Sequence, residues 1–251
     1  MKDIKIGIQL YSVRDEIKEY GVDTVFAALR DAGLNTVEFA GFYGLTPAEM
    51  KEKCEKYGLT PLASHTSIAA FEEQLPYIDE LGIKKVYIPS YYIDKLRDPE
   101  GYREFCELAA KLGGVLSERG VSYGYHNHHR ELLGEDLLIK MANDIPNFTI
   151  ELDIYWAKAA GCDPVELIKS YGKSLSALHI KDMDKNADPT SPRELPNAII
   201  GEGQCDAEAC FRAAYERGVD TFILEVEFYP CDYKEYIKKS VDAINGFLSK
   251  I

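Results

Sequence analysis

No two cysteines stand at CxxC spacing, no apolar run reaches 18 residues, no apolar leader opens the sequence, and no cluster of lysine or arginine interrupts it. The first absence excludes a thiolate metal motif. Cys54, Cys106, Cys162, Cys205, Cys210 and Cys231 are scattered and read as small hydrophobes in a reduced protein. The second and third exclude a spanning helix and a secretory leader, so the expectation is a cytoplasmic protein that does not use a membrane. The fourth bears on partners. With 29 basic against 42 acidic residues and a formal charge of -13, the surface repels polyphosphate, which argues against nucleic acid. An anionic small substrate stays open, because a local positive site can sit inside a negative whole.

At 251 residues the chain suits one α/β barrel. A fold of that size buries about 70–75 % of its unfolded surface, so it needs no disulfide or structural metal, and any ion is then functional. Runs rich in β-formers alternate with amphipathic stretches in eight pairs. Strands are predicted at 4–10, 36–40, 60–65, 84–89, 121–127, 148–153, 175–181 and 221–227. Helices are predicted near 15–32, 47–57, 70–81, 100–119, 133–143, 163–170, 206–217 and 232–249.

Thr46-Pro47 and Asp163-Pro164 read as helix starts, and Gly33, Gly58, Gly82, Gly120 and Gly218 each close a helix just before a strand. The repeating unit predicts a single (β/α)8 TIM barrel, residues 1–251, as one domain. The segment from Met183 to Gln204 breaks the rule of short connections. It reads as a lid or substrate-binding element, with a disordered insertion as the alternative. The GEG at 201–203 lacks the spacing of a nucleotide loop and reads as a turn.

The chemistry-bearing residues gather at predicted strand ends. His65, His126, His128, His129 and His179 all fall there, as do Glu151, Asp153, Asp182, Glu225 and Glu227. A parallel barrel presents its chemistry at those ends. Residues two apart on a strand share a face, so His126 goes with His128, Glu151 with Asp153, His179 with Lys181, and Glu225 with Glu227. A solvated loop acid explains any one of them, but four strands together suggest a mixed nitrogen and oxygen site for one divalent ion, Mn, Co, Zn, Fe or Mg. No cysteine joins these histidines, so such an ion keeps a position open for substrate.

Motifs in this order and spacing carry a resemblance: QLYSVRD (9–15), TVEFAG (36–41), YHNHHREL (125–132), ELDIYWAKAAGCDP (151–164), LHIKD (178–182), GEG (201–203) and LEVE (224–227). Nearly end to end, the chain resembles the xylose-isomerase-like barrel superfamily, the sugar phosphate isomerase/epimerase group that also includes inosose dehydratases, ketose 3-epimerases and type IV endonucleases. The resemblance implies metal ligation by Asp153, His179 and Glu225, with Glu227 as the other register.

Many members carry a glutamate as the fourth ligand, where this chain has His126. That departure puts a simple carboxylate-pair mechanism in doubt and favours a branch like the inosose dehydratases. His126 reads as a ligand, with acid/base work or core packing as alternatives. A histidine that the endonuclease branch needs for its metal cluster is Trp156 here, which favours a single ion. Trp156 reads instead as a wall for a sugar ring, with core packing as its alternative. Glu131 resembles an acid that holds substrate hydroxyls, and His65, Tyr11, Glu38 and Glu151 complete the expected substrate rim. Lys181 is placed to donate to a sugar oxygen, with a pKa that burial lowers, or else to pair with Glu151 or Asp182.

The implied chemistry is proton abstraction next to a carbonyl through an enediolate, with Glu225 or Glu227, His126 or His128, and Lys181 exchanging protons. The expected function is a divalent-metal-dependent isomerase or epimerase of a sugar or keto-sugar. A lyase or dehydratase on an inosose or 3-keto-glycoside is the runner-up, and a metal-free sugar- or partner-binding barrel is the third reading. A homo-oligomer remains open.

Overall fold

The computed structural model describes residues 3–189, 191 and 197–251. Eight parallel strands close into a barrel: β1 (Lys5–Gln9), β2 (Thr36–Phe39), β3 (Thr60–His65), β4 (Lys85–Ile88), β5 (Ser122–His126), β6 (Phe148–Asp153), β7 (Leu175–Ile180) and β8 (Thr221–Leu224). Each pairs with its neighbours in sequence, and β8 returns to β1, with Gly7 opposite Ile223. The expected (β/α)8 barrel is therefore what the chain forms.

All eight predicted strands are present, although most are shorter than expected. The largest difference is β8, which stops at Leu224 and leaves Glu225 and Glu227 on the loop beyond it. Their backbone is held there by hydrogen bonds, with Glu225 N donating to Ile180 O and Glu227 N to Asn197 Oδ1.

Helix boundaries follow the local chemistry. Thr46 forms a capping box with Glu49, and Pro47 opens the helix Pro47–Tyr57. Asp163 caps Pro164–Tyr171 through Val165 N and Glu166 N. The predicted helix 15–32 is two helices, Arg14–Tyr20 and Val22–Asp31, because Gly21 at φ 82° cannot continue an α-helical turn. Two short helices escaped the sequence reading, Ile93–Arg97 and Ile154–Ala159.

Outward strand side chains such as Ile8, Val37, Val86, Ile150, Leu178 and Phe222 join the apolar faces of the helices in one continuous core. The barrel interior is different. Its apolar content includes a small cluster of Ala63, Tyr87 and Ala177 together with Ile223, and Gln9, Glu38, His126, Glu151, Asp153, His179 and Lys181 are buried polar residues. Lys85 closes the lower end, donating to Ser176 O at 2.6 Å and Thr221 Oγ1 at 2.9 Å. Gly124 is required for closure, since a Cβ there would lie 2.1 Å from Thr149 O on the neighbouring strand.

The long segment after β7 is anchored at both ends by a two-stranded antiparallel ribbon, Asp182–Met183 against Asn197–Ala198. Thr190 and residues 192–196, the centre of the expected lid, lie outside the described residues. The GEG at 201–203 is a turn, as expected. Asp182 accepts from the amides of Met183, Gly201, Gly203 and Cys205 at 2.9–3.0 Å. Glycine is needed at 203, where a Cβ would lie 2.2 Å from Asp182 Oδ1.

Candidate active site

Strands β5 to β8 bring His126, Asp153, His179 and Glu225 together, with one donor atom from each within 4.8 Å of the others. Alternation on adjacent strands aims them inward, and local chemistry fixes their heights. Asp153 ends β6 and also caps the next helix. Its Oδ1 accepts from Trp156 N at 3.0 Å while its backbone N–H donates to Asn127 Oδ1 at 2.9 Å, which ties it to the residue after His126.

Above this group opens a cleft of about 350 Å³ lined by Tyr11, Ala40, Gly41, His65, Ser67, Gln74, Pro89, His126, His128, Glu225 and Glu227. Of the expected site residues, Tyr11, His65, His126, His128, Glu225 and Glu227 line it. Asp153 and His179 sit below, fully buried.

The remaining expected rim residues are elsewhere. Glu38 and Glu151 are fully buried under the ligand group and do not line the cleft. Glu151 Oε2 lies 2.8 Å from His65 Nε2 and 3.2 Å from His179 Nε2, while Glu38 Oε2 lies 2.6 Å from His179 Nε2 and accepts from Gln9 Nε2 at 2.8 Å. Glu131 is a brace, accepting from Tyr125 OH at 3.1 Å and from His128 N at 3.0 Å. Trp156 is 4 % exposed and backs His128, with ring centroids 5.2 Å apart, so it is a wall behind the cleft.

Lys181 pairs with neither Glu151 nor Asp182. Its Nζ is 2.9 Å from Glu227 Oε1 and 3.7 Å from Glu225 Oε2, between the rings of Tyr155 and Trp156 at 4.9 and 4.8 Å. Asp182 is occupied by the GEG turn. Burial would lower the Lys181 pKa, as expected from sequence, but the charges of Glu225, Asp153 and Glu227 outweigh it and raise the value, so the ammonium is kept.

The other protonation states diverge. Burial drives His128 down to about 4. Burial, with the charges of His179 and His65, takes His126 well below the ordinary imidazole value, so both are neutral. For Glu225, burial is outweighed by Lys181 and His179, and the carboxylate stays ionised well below its usual range. Asp153 is pushed by burial up to about 8, against the opposing charge of Lys181. Burial works against charging His179, but Glu151 and Glu38 raise it well above the usual range.

These shifts describe a pocket that lacks positive charge. His179 is faced by carboxylates on both ring nitrogens, Glu38 and Glu151 at Nε2 and Glu225 at Nδ1, the last at 3.2 Å. A neutral imidazole has one N–H and can serve only one side. Asp153 Oδ2 and His126 Nδ1 are buried and lack a hydrogen-bond partner among the described residues. His126 Nδ1 stands 3.2 Å from Glu151 Oε2 but out of line for a bond.

Unclaimed buried donors beside facing acceptors are what a cation satisfies. Two imidazoles and two carboxylates form a donor set suited to a divalent transition ion. A deeper set, His65, His126, Glu151 and His179, also converges within 4.8 Å; its Glu151 Oε2 is taken by His65 at 2.8 Å, while Glu151 Oε1 is unpartnered among the described residues. The upper set joins two carboxylates, Asp153 and Glu225, to the imidazoles it shares with the deeper one, His126 and His179.

A closed parallel barrel with imidazoles and carboxylates converging at the carboxyl ends of its strands has the layout of an enzyme-type TIM barrel. The chain belongs to the xylose isomerase-like TIM barrel family, whose model matches residues 14–247. An inosose dehydratase of Clostridium perfringens is 20 % identical over 222 residues, covering 78 % of this chain and 69 % of the relative. A sugar phosphate isomerase/epimerase from Parabacteroides distasonis superposes with a TM-score of 0.77 at 23 % identity, covering 96 % of this chain and 93 % of the other. A D-allulose 3-epimerase from Methylomonas sp. gives 0.74 at 15 %, covering 98 and 99 %. At these identities the structural likenesses establish the fold. Among the described residues no helix is long and apolar enough to cross a membrane.

Proposed function

We propose that the protein is a divalent-metal-dependent isomerase or epimerase of a sugar or keto-sugar, with His126, Asp153, His179 and Glu225 as the residues that would hold the ion. The observation that carries this reading is the convergence of His126, Asp153, His179 and Glu225 at the floor of a cleft, with Asp153 Oδ2 and His126 Nδ1 buried and unpartnered among the described residues. When bound, a divalent ion supplies Lewis acidity toward a carbonyl oxygen and the hydroxyl beside it.

The residues do the rest. Glu227 and His128 line the cleft and are the two proton carriers, a carboxylate and a neutral imidazole, each able to take a proton from carbon and return it. Lys181 does not line the cleft. Its charge helps hold Glu225 as a carboxylate, and its Nζ orients Glu227 through the 2.9 Å contact. Tyr11, Ser67 and Gln74 offer hydroxyl and amide groups to a polyhydroxylated substrate. Abstraction next to the carbonyl gives an enediolate of the substrate, and reprotonation on carbon gives the epimer or isomer.

A lyase or dehydratase is the second reading. It is favoured by the neutral His126, which removes one carboxylate from the usual pair, and it is the activity named for the Clostridium perfringens relative. Incubating the cobalt- or manganese-loaded protein with keto-sugars and an inosose in deuterium oxide separates the two. Deuterium on carbon without loss of a group supports the first, and a dehydrated or cleaved product supports the second. A protein that takes up no divalent ion and exchanges no deuterium is a binding barrel, and both enzymatic readings fall.

A further inference from the structure

We propose that Glu38, steadied by Gln9, is a positioning residue that fixes the proton of His179 on Nε2 and so turns the lone pair of Nδ1 toward the cation site. This rests on the ligand set proposed above and adds to it the residue that orients the central ligand.

Glu38 comes from β2, three strands round the barrel from β7, and its meeting with His179 spans 141 residues. Both side chains are fully buried. Glu38 Oε2 stands 2.6 Å from His179 Nε2, which is short even for a charge-assisted bond. Glu151 also faces Nε2, but at 3.2 Å, and its Oε2 is already 2.8 Å from His65. Glu38 is therefore the acceptor that takes the Nε2 proton. Register explains why Glu38 stays in place. Gln9 and Glu38 are partners across the β1–β2 ladder, and the Gln9 amide donates to the same Oε2 at 2.8 Å. Across the ring, Nδ1 lies 3.2 Å from Glu225 Oε2, so the nitrogen that would bind the ion is the one beside another proposed ligand.

A carboxylate on the far nitrogen of a ligating histidine fixes its tautomer and strengthens it as a donor, and losing such a partner lowers metal affinity about 10–100-fold. Glu38 touches neither the cleft nor the proposed ion, so it acts only through His179.

The test measures metal affinity and tautomer, neither of which needs a substrate. Co²⁺ is titrated into wild type, E38Q, Q9A and D153N, and the ring nitrogens of histidine are followed by ¹⁵N NMR in the Zn²⁺-loaded wild type. The expected results are one ion per chain in wild type, at least tenfold weaker binding in E38Q, a smaller loss in Q9A, and a His179 ring protonated on Nε2 and metal-bound through Nδ1. If wild type binds no ion, the ligand set itself is wrong and the role of Glu38 falls with it. If wild type binds and E38Q binds equally well, the ligand set stands and only the positioning role is overturned. The opposite tautomer in the loaded wild type overturns it as well, even if E38Q fails to fold.

Discussion

Replacing Asp182 should undo the anchor of the long segment after β7 and loosen the catalytic rim with it. Its two carboxylate oxygens accept four backbone amides: Oδ1 takes Met183 and Cys205, and Oδ2 takes Gly201 and Gly203. The side chain is 1 % exposed, so water cannot replace it. A hydrogen bond to a charged group is worth about 1.5–3 kcal/mol, and bonds sharing one acceptor group do not add in full, so D182A should cost about 5 kcal/mol. At about 2–4 °C per kcal/mol for a chain of this size, Tm falls roughly 10–20 °C. D182N keeps one accepting oxygen and loses the other, and should cost about half as much.

The damage should reach Glu227, because Asn197 in the same ribbon accepts from the amides of Glu227 and Phe228 at 3.0 and 3.2 Å. Thermal unfolding and amide exchange by mass spectrometry are the assays. Faster exchange should appear at 201–205 and 227–228 while β5 and β6 stay protected. A D182A protein within about 2 °C of wild type, with unchanged exchange at 201–205, would refute the assignment of this carboxylate as the anchor.

Three further outcomes follow from the site. D153N, which removes an unclaimed buried oxygen from the proposed donor set, should weaken Co²⁺ binding at least about tenfold by calorimetry, and equal affinity would exclude Asp153 as a ligand. H128Q should lower turnover by about 10²–10⁴ while Co²⁺ affinity holds, as for a proton carrier that is not a ligand. In chelator, stability should fall as pH rises from about 6.5 to 8. In that window Asp153, pushed up to about 8, and His179, also raised, hold protons in the folded state that the unfolded chain releases, while the lowered His126 and His128 oppose the slope only at the acid end, where unfolded imidazoles are still partly protonated. Saturating Co²⁺ should flatten the slope in a Tm series. A rising slope in chelator would contradict the assigned directions.

Period and punctuation carried the architecture. Eight β-rich runs and five closing glycines marked the repeat, and all five glycines, Gly33, Gly58, Gly82, Gly120 and Gly218, have positive φ. Alternation also gave the inward direction of Glu151, and Glu38 was expected on the same rim. It gave no height along the barrel axis, which decides whether an inward acid meets substrate or lies beneath the ligands. The 2.8 Å meeting of His65 with Glu151 joins residues 86 apart and has no local signature.

The helix Ile154–Ala159 escaped because no loop precedes it. Asp153 is at once the last strand residue and the cap, and an aspartate three residues before Trp156 was the available signal. Gln9, inside the motif QLYSVRD, was passed over. Strand alternation would have placed it on the inner face beside Glu38. The direction of the Lys181 shift was misjudged because burial was weighed without Glu227, which the chain brings to 2.9 Å only through the ribbon held by Asn197.

The proposed ligands His126, Asp153 and His179 come from β5, β6 and β7 and Glu225 follows the adjoining β8, whereas Tyr11, Ala40, Gly41, Ser67 and Pro89 enter the cleft from the connections following β1 to β4, with Gln74 on the helix Phe71–Leu81. One half-cylinder thus carries the proposed donor atoms and the other half much of the cleft wall. Connections on the second half can change length and sequence without moving a donor atom, so the wall and the donor set are separable parts of the fold.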